Sequence, residues 1–140
     1  MSLVAKLIYE HSEANDPTWR AMLSKAVNTL LTVEDWREVG DTGEPAFANS
    51  WVNYDTGFAT CAFYKDPWGR VHIKGLVKSG TLDTTIFTLP AGYRPSLELI
   101  FTSNENGSFG RVDVFADGTI KQVDGASTTW ISLNISFRAA

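Results

Sequence analysis

One cysteine, two histidines and no basic excess bound what this chain of 140 residues can do. Cys61 stands alone, so no internal disulfide can form. Its alternation in Ala59-Thr60-Cys61-Ala62-Phe63 puts it on the face of Ala59 and Phe63, where it reads as a small buried hydrophobe rather than a reactive thiol. His11 and His72 stand far apart, and no group of His, Cys and carboxylates falls at ligand spacing, so no metal and no cofactor is expected. There is no glycine-rich phosphate loop and no nucleophile elbow. The net charge of -4, with no basic stretch able to neutralise several phosphates, argues against nucleic acid as a partner. No window approaches the about 18 apolar residues of a spanning helix, so membrane insertion is not expected. Residues 1–9 are short, carry Lys6 and lead to no small-residue cleavage site, and are not read as a signal peptide.

What remains is a chain built to fold. Apolar residues make up 44%, and the length suits one domain with a short appendage. Aromatic residues reach 12%, five of them Trp, which suits a binding surface as well as a core. The last segment alternates without a break: Ile131, Leu133, Ile135 and Phe137 on one face, Ser132, Asn134, Ser136 and Arg138 on the other. That period of two predicts a strand with one buried and one wet face.

Turn signals divide the chain before it into further strands. The pattern predicts about eight in all, centred on 47–54, 59–65, 71–78, 84–89, 97–102, 111–115, 119–123 and 130–137. Asp66-Pro67-Trp68-Gly69 reads as a turn, and Asp117-Gly118 as a hairpin tip. Short strands at this spacing predict a mainly β protein, an antiparallel β-sandwich of jelly-roll type.

Ahead of them Trp19, Met22, Leu23, Ala26, Val27, Leu30 and Leu31 follow the spacing of one helix face, with Asp16 as N-cap and Pro17 at the first position. A helix this short is marginal alone and must pack on something. A second short helix over 3–14 is expected through Val4, Leu7 and Ile8. The organisation expected is thus a helical shoulder over 1–34, a connector over 35–44 with a short strand near Trp36, and a β head over 45–140.

Catalytic groups are sparse. Asp55, Asp66, Asp113, Asp117 and Asp124 offer carboxylates for a glycosidase pair, but each is expected in or beside a turn, where Asp bonds its own backbone. His72 falls on an outward strand face between Arg70 and Lys74. The chain is therefore not expected to be an enzyme. Binding is better motivated. Trp68 at a turn apex, with Tyr64, Asp66 and His72 on the same hairpin, offers a stacking face beside hydrogen-bonding groups, as sugars require. The competing reading is that Trp68 closes the sandwich as a lid or packs on a neighbouring subunit. The segment 103–108, with Asn104 and Asn106, reads as a polar loop without a core role, solvated or recognising a ligand.

Several stretches carry a family resemblance: Tyr64-Lys65-Asp66-Pro67-Trp68-Gly69-Arg70-Val71-His72-Ile73-Lys74-Gly75-Leu76-Val77-Lys78-Ser79-Gly80-Thr81, Ile86-Phe87-Thr88-Leu89-Pro90-Ala91-Gly92-Tyr93-Arg94-Pro95, Gly110-Arg111-Val112-Asp113-Val114, Ala116-Asp117-Gly118 and the terminal strand. Together they cover about the last hundred residues, which resemble the C-terminal domain of tail fibre, baseplate and receptor-binding proteins of tailed bacteriophages and prophages. The resemblance implies a β-sandwich, a homotrimer, other tail or baseplate proteins as neighbours, and a place at the distal end of a virion tail, in a protein made in the bacterial cytoplasm. Its motif residues are mostly glycines, prolines and core apolars, so it carries over no binding site. Joined to the residues, it predicts a non-enzymatic receptor-binding module that recognises a host cell-wall saccharide. Ligand contacts are expected at Tyr64, Asp66, Trp68, His72, Asn104 and Asn106, and a three-helix seam at Trp19, Leu23, Ala26 and Leu30. A tail-tip protein without ligand, and a weak cell-wall hydrolase or its accessory, are the alternatives.

Overall fold

Alternation along two long paired strands organises the molecule. The structure, a computed structural model, describes Ser2 and residues 17–140. The expected N-cap Asp16, the second helix through Val4, Leu7 and Ile8, and His11 lie outside the described residues. The chain divides into two units, Met1–Val33 and Glu34–Ala140.

In the first unit, helix α1 spans Pro17–Leu31. Ala26 is buried and Trp19 and Leu23 are half-buried, whereas Leu30 and Leu31 are exposed. Its last turn is closed by the hydroxyls of Thr29 and Thr32, which donate to the carbonyls of Lys25 and Asn28.

In the second unit the described strands are β1 (Arg37–Glu38), β2 (Val52–Asn53), β3 (Ala62–Lys65), β4 (Arg70–Lys78), β5 (Thr85–Thr88), β6 (Leu99–Glu105), β7 (Ser108–Val114), β8 (Thr119–Val123) and β9 (Ile131–Arg138). All pairings are antiparallel, in the order β1-β3-β4-β9-β6-β7-β8-β5, with β2 added on β4. The long β4–β9 ladder runs from Arg70↔Arg138 to Val77↔Ile131, but β9 meets β6 only at Ile131↔Glu105. At that narrow hinge the sheet folds over, and its two halves bury their inner faces as a sandwich. Val71, Ile73 and Val77 of β4 and Ile131, Leu133, Ile135 and Phe137 of β9 meet Val112, Val114, Ile120, Ile86 and Phe87 of the other half. Phe63 and Phe87 stack across the layer at 6.1 Å. The mainly β, sandwich-like antiparallel fold expected from the alternation is what the structure shows.

The strand pattern is met in some details and departed from in others. The run 47–54 is a strand only at Val52–Asn53, because Asn49 and Ser50 take positive φ and Trp51 turns inward, its Nε1 donating to Thr84 Oγ1 at 3.1 Å. The short strand expected near Trp36 in the connector is β1, which pairs with β3, and Val39 after it enters the core. The segment 103–108 is the hairpin between β6 and β7, and Ser103 and Glu105 point inward, so it has a core role after all. Asn106 and Gly107, both at positive φ, make its two-residue turn.

Gly75 takes a close approach rather than a turn. A Cβ there would stand 2.5 Å from the Cα of Cys61. The opposing backbone at Cys61, whose N–H donates to Asn53 Oδ1 at 2.7 Å, therefore lies directly on β4.

Candidate functional site

The outer face of the β1–β3–β4–β9 half presents side chains in rows, because directly opposed residues share a face. One row is Tyr64, His72 and Ser136; the next is Ala62, Lys74 and Asn134; the third includes Leu76 and Ser132. Successive rows are about 7 Å apart along the strand.

The first row carries the hairpin cluster expected from the sequence. Tyr64 and His72 stack at 4.8 Å with planes 14° apart, and Trp36 meets the edge of Tyr64 at 4.6 Å. His72 Nε2 lies 3.0 Å from Asp66 Oδ2, while Asp66 Oδ1 accepts the N–H groups of Trp68 (3.0 Å) and Arg70 (2.9 Å). The His72 hydrogen bond, and then the Arg70 N–H, hold the Asp66 carboxyl below its ordinary range. The stack is not an open platform: Lys74 Nζ covers the Trp36 ring at 4.6 Å and lies 3.9 Å from Glu38. Trp68 stands at the turn apex, 70% exposed, and among the described residues no ring contact involves it. The structure thus brings Tyr64, Asp66 and His72 together, with Trp68 beyond them.

The third row opens into a groove that the sequence reading did not assemble. Tyr54, Phe58, Leu76, Asn104, Trp130 and Ser132 line a solvent-open cavity of about 480 Å³. It forms where the sheet folds over: Asn104 precedes the hinge residue Glu105, and Trp130 precedes its partner Ile131. Tyr54 is fixed by its N–H to the Leu76 carbonyl, and Phe58 meets it edge-on at 5.1 Å. Lys78 lies at this end, with Nζ 5.2 Å from the Tyr54 ring centre and 2.5 Å from Asp55 Oδ1. Asn104 Oδ1 accepts the Gly107 N–H at 2.9 Å, which leaves its amide NH₂ for a ligand. Asn106 does not line the groove; its backbone N–H donates to the Trp130 carbonyl at 3.1 Å. Of the expected contacts, then, Asn104 belongs to the groove and is separated from the hairpin cluster.

Tyr54, Phe58 and Trp130 were missed as contacts because Tyr54 and Trp130 read as the end and the start of the strands 47–54 and 130–137, Phe58 lies between strands, and no local pattern joins the three to Asn104. The available signals were Asn106-Gly107, a strong hairpin sequence, and the small polar series Ser132, Asn134 and Ser136, which keeps the outer face low.

The carboxylates considered for hydrolysis are engaged elsewhere. Asp113 is not at a turn: it lies inside β7, buried, and takes both Arg111 Nε (2.8 Å) and Nη2 (2.6 Å), its neighbour on the same face. Asp55 pairs with Lys78, and Asp117 accepts the Thr119 N–H at 2.9 Å. Asp124 is exposed, 4.0 Å from Arg111. Among the described residues no group of three or more His, Cys, Asp or Glu gathers where a metal could sit. Cys61 is buried, and desolvation pushes its thiol pKa far up.

The fold is similar to that of a solved structure. The receptor binding protein (gp15) of Listeria phage PSA superposes over 100% of this chain and 88% of its own, with a TM-score of 0.65 and 14% sequence identity. At that identity the likeness is one of architecture. No family model matches the sequence, and no curated protein sequence matches it.

Proposed function

We propose that this chain is a phage tail receptor-binding module that recognises a bacterial cell-surface saccharide and does not turn it over. The observation that carries this reading is the groove. Three aromatic side chains, Tyr54, Phe58 and Trp130, stand around the amide of Asn104 and the hydroxyl of Ser132. Sugar rings present apolar C–H faces ringed by hydroxyls, and aromatic faces beside amide and hydroxyl groups are their complement. The fold shared with a phage receptor binding protein supports a tail location and contact with a host. The apolar stripe of α1, through Trp19, Leu23, Ala26 and Leu30, supports a homotrimer in which weak sites act together, docked on other tail or baseplate proteins.

The experiment is a glycan array and a host-cell adsorption assay on wild type, Trp130→Ala and Trp68→Ala. Loss with Trp130→Ala and retention with Trp68→Ala assigns recognition to the groove, and the reverse assigns it to the hairpin. Turnover of isolated cell wall, or no binding to any saccharide or host cell, overturns the reading.

A further inference from the structure

Glu105 is fully buried, yet among the described residues no cation pairs with it. Its carboxyl group accepts from the Ala126 N–H at 2.7 Å and from the Ser103 hydroxyl at 3.3 Å. Both donors are neutral. Burying a carboxylate with so little compensation opposes folding. The surrounding residues are nonetheless shaped around it: Gly110 has no side chain where a Cβ would collide with the Glu105 carboxyl group.

A second buried polar side chain serves the same loop. Gln122 is fully buried, its Nε2 donates to the Ser127 carbonyl at 3.1 Å, and its Oε1 has no partner. Gly125 leaves the room for it, since a Cβ there would strike the Gln122 amide. Glu105 and Gln122 thus hold the segment 124–129 from below. That segment ends at Trp130, a wall of the groove, and Glu105 follows Asn104, another wall. The Ile131↔Glu105 pair and the Asn106 N–H on the Trp130 carbonyl attach its end, while the Gly125 N–H on Asp83 Oδ1 (3.1 Å) and the Ser79 N–H on the Thr128 carbonyl (3.0 Å) tie its outer side.

We propose that Glu105 is a positioning residue: its buried carboxyl group pins the 124–129 loop through the Ala126 N–H and so sets Trp130 against Asn104, and stability is lost in the process. This rests on the groove being the recognition site. Ala126 itself is exposed, so its N–H turns to water when Glu105 is replaced, and the loop keeps its outer bonds to Asp83 and Ser79 but loses the inner one that sets Trp130. Stability and loop order should therefore move in opposite directions.

The test uses the full chain with Glu105→Met, which fills the volume without charge, and Glu105→Gln, whose amide oxygen still accepts from Ala126. Peptide-resolved hydrogen exchange over 124–130, the Trp130 indole N–H resonance and the melting temperature are measured. In Glu105→Met, exchange over 124–130 should accelerate at least tenfold and the indole resonance should shift, while Tm is unchanged or higher. Glu105→Gln should retain the wild-type exchange and resonance. The proposal is overturned if the Met variant fails to fold, melts lower or leaves the loop unchanged, or if the Gln variant loosens the loop as Met does. These readouts need no saccharide, so they stand or fall separately from the groove's ligand.

Discussion

Nε2 of His72 lies 3.0 Å from Oδ2 of Asp66, and this contact ties the turn that displays Trp68 to the flat of the sheet. The other carboxylate oxygen already accepts two backbone N–H groups of that turn, and Tyr64 stacks on the far partner, the imidazole. One side chain therefore shapes the turn and fixes its tilt.

A pH dependence follows from that arrangement. The Asp66 carboxyl is held below its ordinary range of about 3.9, first by the His72 hydrogen bond. A depressed carboxyl contributes stability that is complete above its unfolded pKa and lost as pH falls through the folded one. An NMR titration should place Asp66 below the unfolded value, and in Asp66→Asn the turn should loosen already at neutral pH. A carboxyl titrating at or above about 4 would contradict this.

Removing the Trp130 ring should weaken saccharide binding by about tenfold per site, the scale of one lost aromatic contact. On a multivalent assembly the loss in host adsorption should be larger. The melting temperature checks that the sheet survives, since Trp130 is only half-buried beside the hinge.

Gly75→Ala should destabilise the head by about 1–3 kcal/mol, the usual result of overpacking. The new methyl would press on the backbone of Cys61, which cannot move without breaking its hydrogen bond to Asn53. Denaturant unfolding checks this. Native Cys61 should meanwhile be unreactive to thiol reagents until the chain unfolds, because burial disfavours the thiolate.

The helix stripe makes a separate prediction. Light scattering at micromolar concentration should give three times the mass of one chain, and Leu23→Asp should dissociate or unfold the assembly by burying a charge in the seam. A monomeric mass would remove the trimer from the proposed function and leave the groove untouched. Chelator should change neither melting nor binding.

The sequence by itself determined the alternation of β9 and β4, the turn at Asp66 and Gly69, the helix from Pro17 and the sandwich-like class. Each rests on a local rule, either a period of two or 3.6 or the backbone preference of a residue in a turn. It also determined that Tyr64 and His72 face outward together, since parity along a hairpin decides that. Only the tertiary structure decided where the sheet folds. A single pair, Ile131↔Glu105, joins the two halves, and no local pattern announces a hinge that depends on the registers of three strands. The groove follows from the hinge, because it takes Tyr54 and Phe58 from one turn, Asn104 from β6, and Trp130 and Ser132 from the approach to β9. The burial of Glu105 and Asp113 was likewise invisible: a carboxylate reads as solvent-facing in sequence, and the room for Glu105 comes from Gly110 of the paired strand, while Arg111, two residues away on the same strand, supplies the charge for Asp113.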